Sequence, residues 1–312
     1  MKVKNVFLIF FLGLLITGWL IFFQKQLEIF VFDTTYNQLP EILVANISQD
    51  VPKQKTPTPI IIPEFQAKSV FSFRVNQKEE NVIYQKNIQE KLPIASLTKL
   101  MTAVIAIENY PLDEKITISK EAVLQEGDFG KLKVGETMSV ENLLYLSLIE
   151  SSNDAAYAVA EKMGSINSPQ VGIQQFLEKM NVKAKNLGML DTSFANPTGL
   201  NGSENYSTSY DLAKLIKHII FNYPQILEIT SKVSAEILNE DGSLHHLALN
   251  TNELIGKIPN IIGGKTGYNE EANGCLVLVL KNKNGDYLIN IILGSPDRFT
   301  EMEKLINWKN KS

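Results

Sequence analysis

The sequence predicts an α+β fold, and three features carry that expectation: strand-like runs near both ends of residues 64–312, a helical block between them, and an Asn-Gly turn joining the last two runs. SVFSFRVN (Ser69–Asn76) and NVIYQKN (Asn81–Asn87) are β-branched and aromatic and bounded by polar residues, which predicts two strands and a turn. Ser96–Tyr110 is apolar on nearly every side, so this helix is expected to be buried on all faces. Further helices are expected at Val140–Glu150, Asn153–Met163, Pro169–Leu187 and Ser209–Asn222. Strands return at Gly274–Asn282 and Tyr287–Gly294, and Lys283-Asn284-Gly285-Asp286 between them is a strong hairpin signal. A helix at Asp297–Lys309 closes the domain. Strands at both ends imply one antiparallel sheet built from N- and C-terminal segments, with helices packed on it.

Composition narrows the function. The chain has 312 residues, a formal net charge of −4, 44 % hydrophobic residues and one cysteine. That is enough apolar material for a real core and excludes disorder as the main state. Scattered charges without a basic stripe argue against a nucleic-acid partner. Cys275 alone forms no intrachain disulfide, Cys-rich zinc site or Cys-x-x-Cys pair.

Residues 1–5 read as a cytoplasmic tail and 6–23 as a transmembrane signal anchor, because Val6–Phe23 is 18 residues without a charge. As a helix it reaches about 27 Å, close to the hydrocarbon thickness and longer than the apolar stretch of a cleavable signal. A signal that is removed, leaving a secreted protein, is the alternative. Lys2 and Lys4 place the N-terminus inside and the bulk outside the cell membrane. Residues 24–63 form a stalk holding five of the twelve prolines (Pro40, Pro52, Pro57, Pro59, Pro63). Leu27–Asp33 is too apolar for a plain linker and reads equally as an interfacial helix or a docking strand. Residues 64–312 show no second break and no repeat, so they read as one domain.

Three short motifs carry chemistry. Ser96 and Lys99 stand three apart at the start of the buried helix, on one face and within hydrogen-bond reach. A helix cap accounts for Ser96 alone but not for a lysine among Leu97, Leu100, Met101 and Val104. Burial lowers the pKa of such a lysine toward a neutral amine, so the pair is a candidate nucleophile and base. Second, Ser151 and Asn153 lie between two helical runs; here capping by Ser152 or Asn153 is an equal reading. Third, Lys265-Thr266-Gly267 lies on a glycine-flanked stretch, read as an edge strand whose lysine and hydroxyl can hold a carboxylate. His218, His245 and His246 lack the spacing of a metal site or triad, and His245-His246 beside Asp241 reads as surface polarity.

Ser-x-x-Lys, Ser-x-Asn and Lys-Thr-Gly in this order resemble the serine penicillin-recognising enzymes. The flanks ASLTKLMTA, SSNDAAYAVAE, ANPTGL, STSYDLAKL and GGKTGY resemble the D-alanyl-D-alanine carboxypeptidases of the low-molecular-mass penicillin-binding group, over Val70 to Trp308. The resemblance implies a β-lactamase/transpeptidase-like fold and a serine-type carboxypeptidase that removes the terminal D-alanine of peptidoglycan stem peptides. It implies that Ser96 forms an acyl-enzyme with Lys99 as base, that Ser151 relays a proton to the leaving amine, and that Asn153 binds the substrate backbone. Lys265, Thr266 and Gly267 would hold the terminal carboxylate, and the backbone N–H groups of Ser96 and Tyr268 would form the oxyanion hole. β-Lactams would be covalent inhibitors, and neither metal nor cofactor is expected. Alternatives are a DD-endopeptidase on cross-links, a β-lactamase or a penicillin-binding sensor without turnover. Lys179–Ser203 holds no glutamate of the kind class A β-lactamases use for deacylation.

Overall fold

A computed structural model describes residues 63–76, 78–127, 130–164, 169–200 and 204–309. The chain divides into two units, Met1–Pro59 and Ile60–Ser312, and every described residue belongs to the second. The expected membrane span at 6–23 and the stalk, Pro63 apart, lie outside the described residues. Among the described residues no helix is long and apolar enough to cross a membrane.

The chain opens with β1 (Ser69–Val75), β2 (Glu80–Lys86) and β3 (Leu92–Pro93), then a 3-10 turn (Ala95–Leu97) that runs into α1 (Thr98–Asn109). β4 (Lys115–Thr117), α2 (Lys120–Val123) and β5 (Thr137–Ser139) precede α3 (Val140–Tyr145), a π-helical turn (Leu146–Glu150) and α4 (Asn153–Glu161). Next come α5 (Pro169–Asn186), β6 (Tyr206–Ser207), α6 (Ser209–Asn222) and α7 (Pro224–Thr230). β7 (Ser234–Leu238) and β8 (Leu244–Leu249) form a hairpin, followed by β9 (Ile261–Asn269), β10 (Asn273–Lys281), β11 (Tyr287–Ser295) and α8 (Arg298–Lys309).

The α+β expectation holds. A five-stranded antiparallel sheet of order β2-β1-β11-β10-β9 joins both ends of the domain, with β9 on one edge. Strand alternation sends Phe71, Phe73, Val277, Val279, Ile289 and Ile291 into a large core shared with the helical block. The intervening Val70, Leu276, Leu278, Leu288 and Ile292 meet Met302, Leu305 and Ile306 of α8 on the opposite face. Both faces are covered, and this is why β10 and β11 read as continuous apolar runs rather than alternating ones. Helix α1 is buried at every position from Thr98 to Ala106, as its all-apolar pattern requires. The Asn-Gly hairpin closes with Asn282 Oδ1 accepting from Asn284 N and Asp286 N, both at 2.9 Å.

The structure corrects three expectations. The helix expected over Val140–Glu150 stops at Tyr145 and continues as the π turn, which ends at Ser151 with φ of 67°. The middle block also contains β4 paired with β5 and β7 paired with β8, strands too short or too weakly alternating to stand out. His245 and His246 are not surface polarity. His246 Nε2 lies 2.9 Å from Glu150 Oε2 and His245 Nε2 3.5 Å from Glu136 Oε2, under the hairpin, whereas Asp241 accepts from Ser243. Among the described residues no group of three or more His, Cys, Asp or Glu side chains is placed to hold a metal ion.

Glu301 of α8 fastens the entering chain, accepting from Gln66 N, Ala67 N and Ser295 Oγ. Glu301→Ala strips these donors, of which Ala67 N and Ser295 Oγ are buried, of their acceptor and is expected to cost about 1–3 kcal/mol in denaturant unfolding. Ser96 packs on the other side of the sheet, so penicillin labelling of the folded variant should persist; loss of labelling would show that the two faces are coupled.

Candidate active site

The nucleophile turn forms where Ile94 N donates to Asn205 O at 3.2 Å and Leu97 N to Ile94 O at 3.1 Å. Ala95 adopts φ of 45°, and Ser96 makes no helix-cap bond, because α1 is capped at Leu97 without a side-chain contact. The Ser96 hydroxyl is therefore available to Lys99 Nζ, 2.8 Å away. Lys99 Nζ also lies 2.7 Å from Asn153 Oδ1 and 2.7 Å from Thr198 O. Carbonyl oxygens only accept, so these two take the two N–H groups of a neutral amine and leave its lone pair facing the Ser96 hydroxyl.

Lys99 is fully buried, and that burial, reinforced by the nearby Lys265 charge, holds its pKa well below the ordinary lysine value; Asp154 opposes weakly. Lys265 is 1 % exposed, and burial together with the neighbouring Arg298 charge pushes its pKa down to about 7. Its ammonium donates to Ser151 Oγ at 2.8 Å and to Thr266 O at 3.0 Å.

Ser151 is freed for this contact by its neighbour. Ser152 caps α4, accepting from Ala155 N at 3.0 Å, so the capping reading applies to Ser152 and not to Ser151. Asn153 does more than face a ligand: its Oδ1 holds Lys99, and its Nδ2 donates to Glu126 O at 2.6 Å, leaving one N–H for a substrate.

Strand β9 closes the site from the sheet edge. A Cβ on Gly267 would lie 2.9 Å from Ile94 O and 3.2 Å from Ser96 N, so only glycine lets the strand come this close. Gly199 presses on the same turn from the other side: it has φ of 80°, and a Cβ there would meet Ala95 O at 2.0 Å. Tyr268, the next residue on β9, is 65 % exposed at the mouth.

The structure thus gathers Ser96, Lys99, Ser151, Asn153, Lys265, Thr266 and Gly267 into one cleft. Two contributors escaped the sequence reading. Thr198 acts through a backbone carbonyl, which no residue type announces. Arg298 lies far along the chain, yet its guanidinium carbon is 5.8 Å from the Tyr268 ring, and its buried Nε has no hydrogen-bond partner among the described residues.

A serine beside a buried lysine amine, with a second serine held by a second lysine, is the arrangement of a serine hydrolase. Residues 54–297 match peptidase family S11, D-alanyl-D-alanine carboxypeptidase, and the chain belongs to that family of serine peptidases. It is 36 % identical over 235 residues to the D-alanyl-D-alanine carboxypeptidase DacF of Bacillus subtilis, a match that covers 73 % of this chain and 58 % of DacF. It is 32 % identical over 267 residues to a D-alanyl-D-alanine endopeptidase of Escherichia coli, covering 83 % of this chain and 82 % of that protein. The crystal structure of the Streptomyces K15 DD-transpeptidase superimposes with a TM-score of 0.72 at 30 % identity, covering 80 % of this chain and 99 % of the other.

Gly267→Ala should lower the rate of acylation by a fluorescent penicillin about 10²–10³-fold, the usual cost of losing one oxyanion donor, because the new methyl pushes β9 off Ser96. An unchanged rate would show that the close approach is unnecessary. The pH dependence of acylation should fall on the acid side as Lys99 protonates and on the alkaline side as Lys265 loses its proton at about 7. Arg298→Gln removes a positive neighbour, raises the Lys265 pKa and should move the alkaline limb upward; a limb that stays put would separate it from Lys265.

Proposed function

We propose that this protein removes the terminal D-alanine from peptidoglycan stem peptides, with Ser96 as nucleophile and Lys99 as base. The observation that carries this reading is the 2.8 Å contact between the Ser96 hydroxyl and the buried Lys99 amine, whose pKa burial holds well below the ordinary lysine value, placed opposite a strand equipped to hold a chain end. Lys99 takes the hydroxyl proton as Ser96 Oγ bonds to the carbonyl carbon of the penultimate D-alanine. The oxyanion sits on the N–H groups of Ser96 and Tyr268. Ser151 gives its proton to the departing amine and takes one from Lys265, to which it is hydrogen-bonded, as the C–N bond breaks. Water then attacks the ester and yields a proton through Ser151 to Lys265, while Lys99 returns its proton to Ser96 Oγ and the shortened peptide leaves.

Thr266 and Arg298 are the groups suited to grip the terminal carboxylate directly. Lys265 lies beneath them with its donors on Ser151 and Thr266 O, and it contributes charge from below. β-Lactams, which carry a strained amide and a carboxylate in the same relation, would acylate Ser96. Residues 6–23 would anchor the protein in the cell membrane with residues 64–312 outside, the apolar run and the flanking lysines being the support. A DD-endopeptidase on cross-links is the second reading, favoured by the name of the Escherichia coli relative.

The full-length protein should release D-alanine from a pentapeptide ending in D-Ala-D-Ala, followed by mass spectrometry. Cleavage of a cross-linked dimer with the pentapeptide untouched would replace this reading by the endopeptidase. Ser96→Ala should abolish penicillin labelling. Lys99→Arg should lose at least about 10²-fold in acylation, because a guanidinium stays protonated.

A further inference from the structure

The β7–β8 hairpin runs back to the cleft through Asn250-Thr251-Asn252, a turn to which the mechanism assigns no task. Asn250 Nδ2 fixes it to Thr230 O at 3.0 Å and Lys232 O at 2.7 Å, while Asn252 N donates to Asn250 Oδ1 at 2.9 Å. Thr251, held between them, reaches both walls of the site. Its backbone N–H donates to Ile149 O at 3.1 Å, two residues before Ser151, and its hydroxyl lies 2.6 Å from the Thr266 hydroxyl. Glu150, between Ile149 and Ser151, is tied to the same hairpin through His246 Nε2 at 2.9 Å and Leu249 N at 3.4 Å.

We propose that Thr251 is a positioning residue that aims the Thr266 hydroxyl at the substrate carboxylate and keeps that clasp in register with Ser151; this rests on the carboxypeptidase reading above. The argument is a proton count. Each hydroxyl has one proton and two lone pairs. A carboxylate can only accept, so Thr266 must donate its single proton to the ligand. The 2.6 Å contact then has one consistent polarity: Thr251 donates and Thr266 accepts. With its lone pair engaged by Thr251, Thr266 is left with its proton pointing into the cleft, and the substrate meets an oriented donor rather than a rotor. The backbone bond to Ile149 makes the same residue a gauge between the carboxylate site and the serine that protonates the leaving amine.

Thr251→Val keeps the shape and the backbone bond and removes only the hydroxyl; Thr251 is solvent-exposed, so folding should be unaffected. In the full-length protein, KM for a D-Ala-D-Ala pentapeptide should rise roughly three- to tenfold with kcat nearly constant, the range expected for one ordinary hydrogen bond, and Thr251→Ser should restore it. Acylation by a fluorescent penicillin closes the cycle: Thr251→Val should slow it in the parent and cost nothing further in a Thr266→Val background. Equal costs in both backgrounds, an unchanged KM, or failure of serine to restore it would overturn the proposal. A parent protein that releases no D-alanine would overturn the carboxypeptidase reading and this proposal with it. Normal release by the parent together with an insensitive Thr251→Val would overturn this proposal alone.

Discussion

An uncharged amine inside the protein is the constraint from which the rest of this site follows. A charged lysine deep in an apolar helix would carry a desolvation penalty of several kcal/mol, and among the described residues no carboxylate is hydrogen-bonded to Lys99 to offset it. The cheaper solution is loss of the proton, which is also what a base for Ser96 requires. Burying α1 on every face therefore does two jobs at once. It supplies the core that joins sheet and helices, and it fixes the protonation state at its first turn.

The second lysine sharpens this. Lys99 and Lys265 are both buried, and the Lys265 charge adds to burial in pushing the Lys99 pKa down, so the site does not readily hold two positive charges. The hydrogen-bond partners decide which one keeps its proton. Lys99 meets two carbonyl oxygens that a neutral amine satisfies, with its lone pair turned to a hydroxyl. Lys265 faces Ser151 and a carbonyl and titrates near neutrality, with Arg298 pushing it further down. A ligand carboxylate arriving at Thr266 and Arg298 would oppose that push and favour the charged form of Lys265. On the proposed mechanism, substrate binding would thus strengthen the donor to Ser151 at the moment that Ser151 gives up its proton.

Legibility from the sequence followed the kind of atom involved. Ser96, Lys99 and the Lys265-Thr266-Gly267 strand were readable because side-chain identity at a fixed spacing in an apolar setting already restricts the chemistry. The sheet was readable because both its ends carry β-branched runs and its last turn carries Asn-Gly. Thr198 was not, since a backbone carbonyl is the same on every residue. Arg298 and Thr251 were hidden by separation along the chain; only the packing of α8 on β10 and β11, and of the β7–β8 hairpin on the π turn, brings them near. The π turn stayed hidden because its sequence, LSLIE, has ordinary helical periodicity, and the extra residue per turn is imposed where the chain must deliver Ser151 in a left-handed conformation. The half-buried His246–Glu150 pair was missed for a similar reason: its partner lies 96 residues away, and nothing in His245-His246 announces the carboxylate that the fold brings to it.

Ser96 owes its position to strain that neighbours impose from two sides. Ala95, a residue with a Cβ, sits at φ of 45°, a conformation that costs of order 1 kcal/mol or more and persists only when the surroundings over-determine it. Here Gly199 lies against Ala95 O and Gly267 against Ile94 O and Ser96 N, so two glycines from distant segments grip one turn. A side chain at either glycine would relax the grip. The turn would then be free to settle toward ordinary helix, rotating Ser96 N away from the cleft and its hydroxyl away from Lys99. Rigidity at Ser96 is therefore a property of the loop holding Gly199 and of β9, as much as of the segment in which the serine stands.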